Sequence, residues 1–227
     1  MEPVNYLKDM LGIAEGTIVD TAIDVGLEAI PTVGQALQSY KIKKLEKRMN
    51  THEPQLQIIK EKIENSENEV FYKQEVFPLI VKSLMEDDEE LKAKVIIDGF
   101  EYVIDNDLHD IERIYHYYDV LDELRFSDMM RFVYYMPQDA GKELKLKINL
   151  ATSEEQRTSS YQEGKAIQVY QLNKLIRLGL IEQEIVGIDG GSFDESESND
   201  FVQHKTQNTD FGKRFFEFFA LDKIVER

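Results

Sequence analysis

The chain has 227 residues, 42% of them hydrophobic, enough for one large domain or two small ones with a real core, so disorder throughout is excluded. It has no cysteine, which removes disulfide frameworks, thiolate zinc sites and thiol nucleophiles and points to a reducing cytoplasm. A formal charge of -17 repels polyanions and argues against broad contact with phosphate backbones.

Met1 to Asn5 lacks both a basic and an apolar leader region, so no signal peptide is expected. A short helix over Val4–Leu11 and a second over Thr17–Ile30 follow. In the second, Val19, Ile23, Gly26, Leu27 and Ile30 form an apolar stripe, with Asp20, Asp24 and Glu28 on another face. Three carboxylates make this helix amphipathic and not membrane-spanning. After Pro31, Thr32 can cap a third helix whose far end carries Lys41, Lys43, Lys44, Lys47 and Arg48, the strongest positive cluster in the chain. As a functional patch it would meet lipid headgroups or nucleic acid; as a structural feature it is a solvated helix end.

Pro54 suits a helix start, with Leu56, Ile59 and Ile63 buried. Val70–Met85 reads as helix, either kinked at Pro78 or restarting there, with Phe77, Leu79, Ile80 and Leu84 in the core. The acidic run Glu86–Glu90 precedes an apolar face of Leu91, Val95, Ile96, Phe100 and Val103, and is expected to cap that helix and complement its dipole. Asp107 is expected to cap the next helix, with Leu108, Ile111, Tyr115, Tyr118, Leu121 and Leu124 inward. His109, Glu112 and His116 share one side of it at helical spacing, but span almost two turns. A solvated face is favoured over a metal site. Ser127 is expected to cap Asp128–Met136, with Met129, Phe132, Val133 and Met136 inward and Pro137 as terminator.

A domain boundary falls just before Ser127. Leu144, Leu146, Ile148 and Leu150 alternate with polar residues as a strand, and a short helix is expected within Thr152–Gly164. The next helix, with Val169, Leu172, Leu175 and Ile176 on one face, closes on Gly179 in the left-handed region. Alternation from Ile181, the acidic Asp189–Asp200 loop, a second strand and an aromatic helix complete the outline of a winged helix. The expected fold is therefore mainly α: a helical bundle over 1–125, then a winged-helix-like α+β domain over 126–227.

The closing stretch Thr209-Asp210-Phe211-Gly212-Lys213-Arg214-Phe215 carries a Thr-x-x-Gly-x-x-Phe signature. Thr209 caps, Gly212 permits close approach, and Phe211, Phe215 and Phe219 share a face that Phe216 and Phe218 widen. With Asp88-Glu89-Glu90-Leu91 and Leu178-Gly179-Leu180-Ile181, this resembles the abortive-infection alpha family of bacterial and prophage proteins over roughly Asp24–Phe219. Asn208 stands where that pattern tends to carry leucine. The resemblance implies a role in phage–host conflict and carries over no catalytic residue.

No phosphate loop, nucleophile elbow or paired metal motif is recognisable, and no cofactor is expected; Gly190-Gly191 reads as a wing turn and the loop around it lacks the ligand order of a calcium site. The reading that follows is a non-enzymatic module for protein partners or self-association. A DNA-binding regulator is the alternative, with Lys165, Gln168, Gln171, Lys174 and Arg177 as donors on the recognition helix, opposed by Asp189, Asp194, Glu195, Glu197 and Asp200 in the wing. A membrane-active effector built on Gly16–Leu37 and the Lys41–Arg48 cluster is the third reading. The candidate interaction residues are Lys41, Lys43, Lys44, Lys47, Arg48, Lys174 and Arg177.

Overall fold

The computed structural model describes residues 34–136, 158–189 and 201–224, with side chains over 40–136, 158–184 and 206–224. The expected helices over Val4–Leu11 and Thr17–Ile30, the strand from Leu144 to Leu150 and the acidic wing loop past Asp189 lie outside the described residues. What is described is mainly helical, with one small two-stranded sheet. It divides into two compact units, one of residues 1–126 with Phe218–Ala220, the other of residues 127–217 with 221–227.

In the first unit, α1 (Gly34–Thr51) is followed by α2 (Glu53–Glu64), which has Pro54 in its first turn and buries Leu56, Ile59 and Ile63 as expected. Next, α3 (Glu69–Phe71) runs into a π-helical turn, Tyr72–Val76, and on into α4 (Phe77–Glu86). Pro78 explains this. It has no N–H to donate and its ring would clash with the carbonyl of residue 74, so the chain widens by one residue just before it. The amide of Phe77 accordingly reaches Tyr72 O.

Helix α5 (Lys92–Asp105) buries Val95, Ile96, Phe100 and Val103. Leu91 departs from the expected face: it lies ahead of the helix and is 64% exposed. Helix α6 (Ile111–Glu123) corrects two further expectations. Its cap is Asp110, which accepts from the amide of Arg113 at 3.1 Å. Asp107 instead terminates α5 with φ 50, and the amides of Asp107 and Leu108 bond Ile104 O and Val103 O at 3.2 and 3.0 Å, a Schellman closure. Starting later, α6 turns Ile114, Tyr117, Tyr118 and Leu121 inward and leaves Tyr115 at 42% exposure. Phe218 and Phe219 complete this core, Phe218 stacking on Tyr117 at 4.5 Å and Phe219 meeting Tyr118 edge-on at 5.3 Å.

The second unit contains α7 (Phe126–Tyr135), which buries Met129, Phe132 and Val133. It begins two residues earlier than expected, so Ser127 sits inside its first turn; Met136 is half-buried. Next, α8 (Ser159–Arg177) is one continuous helix capped by Thr158, whose hydroxyl accepts from the Tyr161 amide at 3.2 Å. The short helix expected before it is therefore, from Ser159, its first turns. Gly179, at φ 70, closes α8 through bonds from Gly179 N to Ile176 O and Leu180 N to Leu175 O.

Strands β1 (Ile181–Asp189) and β2 (Phe201–Asn208) pair antiparallel from Ile181 opposite Asn208 to Asp189 opposite Phe201, with an irregularity between Ile185 and Gly187. Helix α9 (Asp210–Phe218) then starts hard against the first residues of the hairpin. The Thr209 hydroxyl donates to Gly179 O at 2.5 Å and accepts from the Gly212 amide at 2.8 Å, while Thr209 N donates to Leu180 O at 3.2 Å. Phe215 is fully buried, edge-on to Phe132 at 6.1 Å.

Candidate interaction surface

The cationic cluster of α1 is largely answered from within its own unit. Arg48 is fully buried; its guanidinium donates to Leu84 O at 2.7 Å, to Asp87 O at 2.8 Å and to Glu90 Oε2 at 3.1 Å. These carbonyls belong to the end of α4 and the turn after it, where a helix presents unpaired acceptors and favours positive charge. Lys44 donates to Asp87 O at 2.8 Å and pairs with Asp88 at 3.2 Å, and Lys47 pairs with Glu90 at 3.1 Å. Glu90 is held below the usual carboxylate range: desolvation opposes this, but hydrogen bonds from Lys47 and Arg48 outweigh it. Lys43 is exposed and Lys41 half-exposed.

The acidic run therefore does something other than capping α5. No acidic residue lies in the first turn of that helix. Asp87 Oδ1 accepts from the Glu89 amide at 2.7 Å, Asp87 also pairs with the buried Lys92, and Lys92 donates to Leu124 O at 2.8 Å. Glu89 accepts from the Phe126 amide at 2.7 Å. The run is thus the joint between α1, α4, α5 and the end of α6. Sequence reasoning missed this, although one signal was available: the chain carries one dense acidic run and one dense basic run of similar size, which can answer each other across the fold.

On α8, Lys174 pairs with Asp128 at 2.8 Å, the two side chains being 12% and 4% exposed, and Gln171 donates to Asp128 Oδ1 at 3.1 Å and to Ser127 Oγ at 3.3 Å. These two donors of the expected recognition helix anchor it to α7. Lys165, Gln168 and Arg177 are exposed.

The first half of α8 has a different character. From Ser159 to Tyr170 no residue is buried, and Ile167, Val169 and Tyr170 are 53%, 49% and 65% exposed. Val169 was expected in the core, with Leu172, Leu175 and Ile176. Only Leu175 of that face is fully buried; Leu172 and Ile176 are half-buried. Ile167 and Tyr170, three residues apart, share one side of the helix, and Val169 stands next to Tyr170, so apolar side chains lie open along this half of α8.

His109 lies in the turn before α6, so the helical spacing of His109, Glu112 and His116 does not hold. Its Nε2 faces Asp107 Oδ1 at 3.1 Å. Among the described residues, no group of three His, Cys, Asp or Glu side chains could hold a metal ion, and no helix is long and apolar enough to cross a membrane. No family model, curated protein or solved structure matches this chain.

Proposed function

We infer that the chain is a protein-interaction module without chemistry of its own, acting in the cytoplasm in a bacterial or prophage defence system of the abortive-infection kind. The observation that carries the reading is the exposed apolar stretch Ile167–Tyr170 on the unburied half of α8. The second half of α8 is packed through Gln171 and Leu175, and a partner surface on its open first half would extend that packing along the same helix. We take the two domains as 1–125 and 126–227, the second winged-helix-like. The order α8, β1, β2, α9 and the tight closure of α9 on Leu180 support that topology.

The internal pairing of Lys174, and of Lys44, Lys47 and Arg48, weighs against both the nucleic-acid and the lipid readings, because those cations already have carboxylate partners. Fluorescence anisotropy against pooled random duplexes at physiological salt tests this. We expect no saturable binding tighter than about micromolar. A sequence-selective footprint would overturn the reading in favour of a regulator. Lys174→Glu is not a clean probe, since it would set a carboxylate against the buried Asp128 and destabilise α8.

A further inference from the structure

Asp107 is held in place more firmly than the end of a helix requires. Its backbone sits at φ 50, a left-handed conformation that aspartate adopts less readily than glycine. Its Oδ1 faces three donors: Tyr72 Oη at 2.9 Å, Asn68 Nδ2 at 3.1 Å and His109 Nε2 at 3.1 Å. Tyr72 is fully buried and opens the π-helical turn, a feature that recurs at functional sites. The hydrogen bond from Tyr72, foremost, holds the Asp107 carboxyl below the usual aspartate range, so it is a fixed negative charge.

All the described donors go to Oδ1, and the Asp107 side chain is still 65% exposed. Two of the groups it holds, Tyr72 and His109, belong to a cluster of flat rings. His109, 43% exposed, stacks on Tyr72 with centroids 6.1 Å apart and meets Phe71 edge-on at 5.5 Å; Val70, next to Phe71 in sequence, is 65% exposed. With Oδ1 already engaged, Oδ2 offers one charged acceptor beside ring surface; a guanidinium can donate to it while lying flat on a ring, whereas an ammonium gains chiefly the charge.

We propose that Asp107, Phe71 and His109 form a socket for an arginine side chain of a basic partner protein. This deepens the protein-contact reading and rests on it for the source of the arginine. The chain's charge of -17 would draw such a partner in. A structural role alone would need Oδ1 only, and asparagine could serve it, since it adopts the left-handed conformation and offers an acceptor at the same place.

The test is a titration of the ¹⁵N-labelled full chain with N-acetyl-arginine methylamide and with its lysine counterpart, at pH 8 and low salt. Saturable shifts should be confined to residues 68–72 and 107–109, with arginine the tighter ligand by about fivefold. Asp107→Asn, which stays folded at some loss of stability because it keeps the Oδ1 acceptor, should weaken arginine binding by about tenfold or more. Shifts spread over the acidic surface, equal responses to the two ligands, or unaltered binding by Asp107→Asn would each overturn the socket. Should that variant unfold, Phe71→Leu decides: it keeps the carboxylate and removes one of the two rings, so arginine's advantage over lysine should narrow to about twofold, and its persistence undiminished refutes the proposal. The probe reports on the socket whether or not α8 recruits a protein, so the two readings can fail separately.

Discussion

Gly212→Ala is the sharpest test of how the second unit is closed. A Cβ on Gly212 would lie 2.0 Å from Leu180 O and 2.9 Å from Leu180 C, both backbone atoms that cannot rotate away. That is about 1.5 Å short of ordinary contact. Either α9 withdraws from the hairpin or Leu180 shifts, and both weaken the bonds that Thr209 makes to Gly179 O and Leu180 O. Overpacking of this kind costs about 1–3 kcal/mol and each lost hydrogen bond about 1 kcal/mol more, against about 1 kcal/mol regained from helix propensity. A net loss of about 2–4 kcal/mol follows. Gly164→Ala is the control, because it lies in α8 with nothing within 4 Å of the new Cβ. It should stabilise by about 0.4–1 kcal/mol. Urea unfolding followed by circular dichroism measures both. Two variants that shift in the same direction, or a neutral Gly212→Ala, would refute the close approach of α9 to Leu180.

Phe215→Ala should destabilise by about 3–5 kcal/mol, read from the same urea transitions, since the ring is fully buried against Phe132. Arg48→Ala should cost about 2–4 kcal/mol by stranding Leu84 O and emptying the space its buried side chain fills, Asp87 O keeping its bond from Lys44, whereas Lys47→Ala, from an exposed pair, should cost about 0–1 kcal/mol in the same assay. Asp107 and Glu90 are both depressed, so their contribution is present above the ordinary carboxylate pKa of about 4 and is lost as the pH falls through their lower folded values. Stability measured stepwise from pH 7 to pH 3 should therefore fall less steeply in Asp107→Asn than in the native chain.

Local codes were legible where one residue type alone could satisfy the backbone. Gly179 closes α8 because the left-handed C′ position favours it, and Thr209 with Gly212 opens α9 because a hydroxyl and a bare Cα are both required there. Asp107 was misread because two aspartates precede α6. A capping carboxylate must reach an amide three residues on, which Asp110 does toward Arg113, whereas Asp107 serves the end of α5. That shift in the helix start also dissolved the histidine spacing and rotated Tyr115 outward. The pairings of Arg48 with Glu90 and of Lys174 with Asp128 join residues more than forty positions apart, and periodicity carries no information at that range. The exposed half of α8 was hidden for the opposite reason. Its Val169 has the spacing of a core residue, and spacing cannot tell whether anything covers it.

Photo-crosslinking from a benzoylphenylalanine at position 170, with the same group at the exposed Ile58 as reference, tests the central claim most directly. The protein-contact account predicts one discrete, protease-sensitive adduct formed in cells from position 170 and none of that size from position 58. A nuclease-sensitive adduct from position 170, or the same diffuse labelling from both positions, would contradict it.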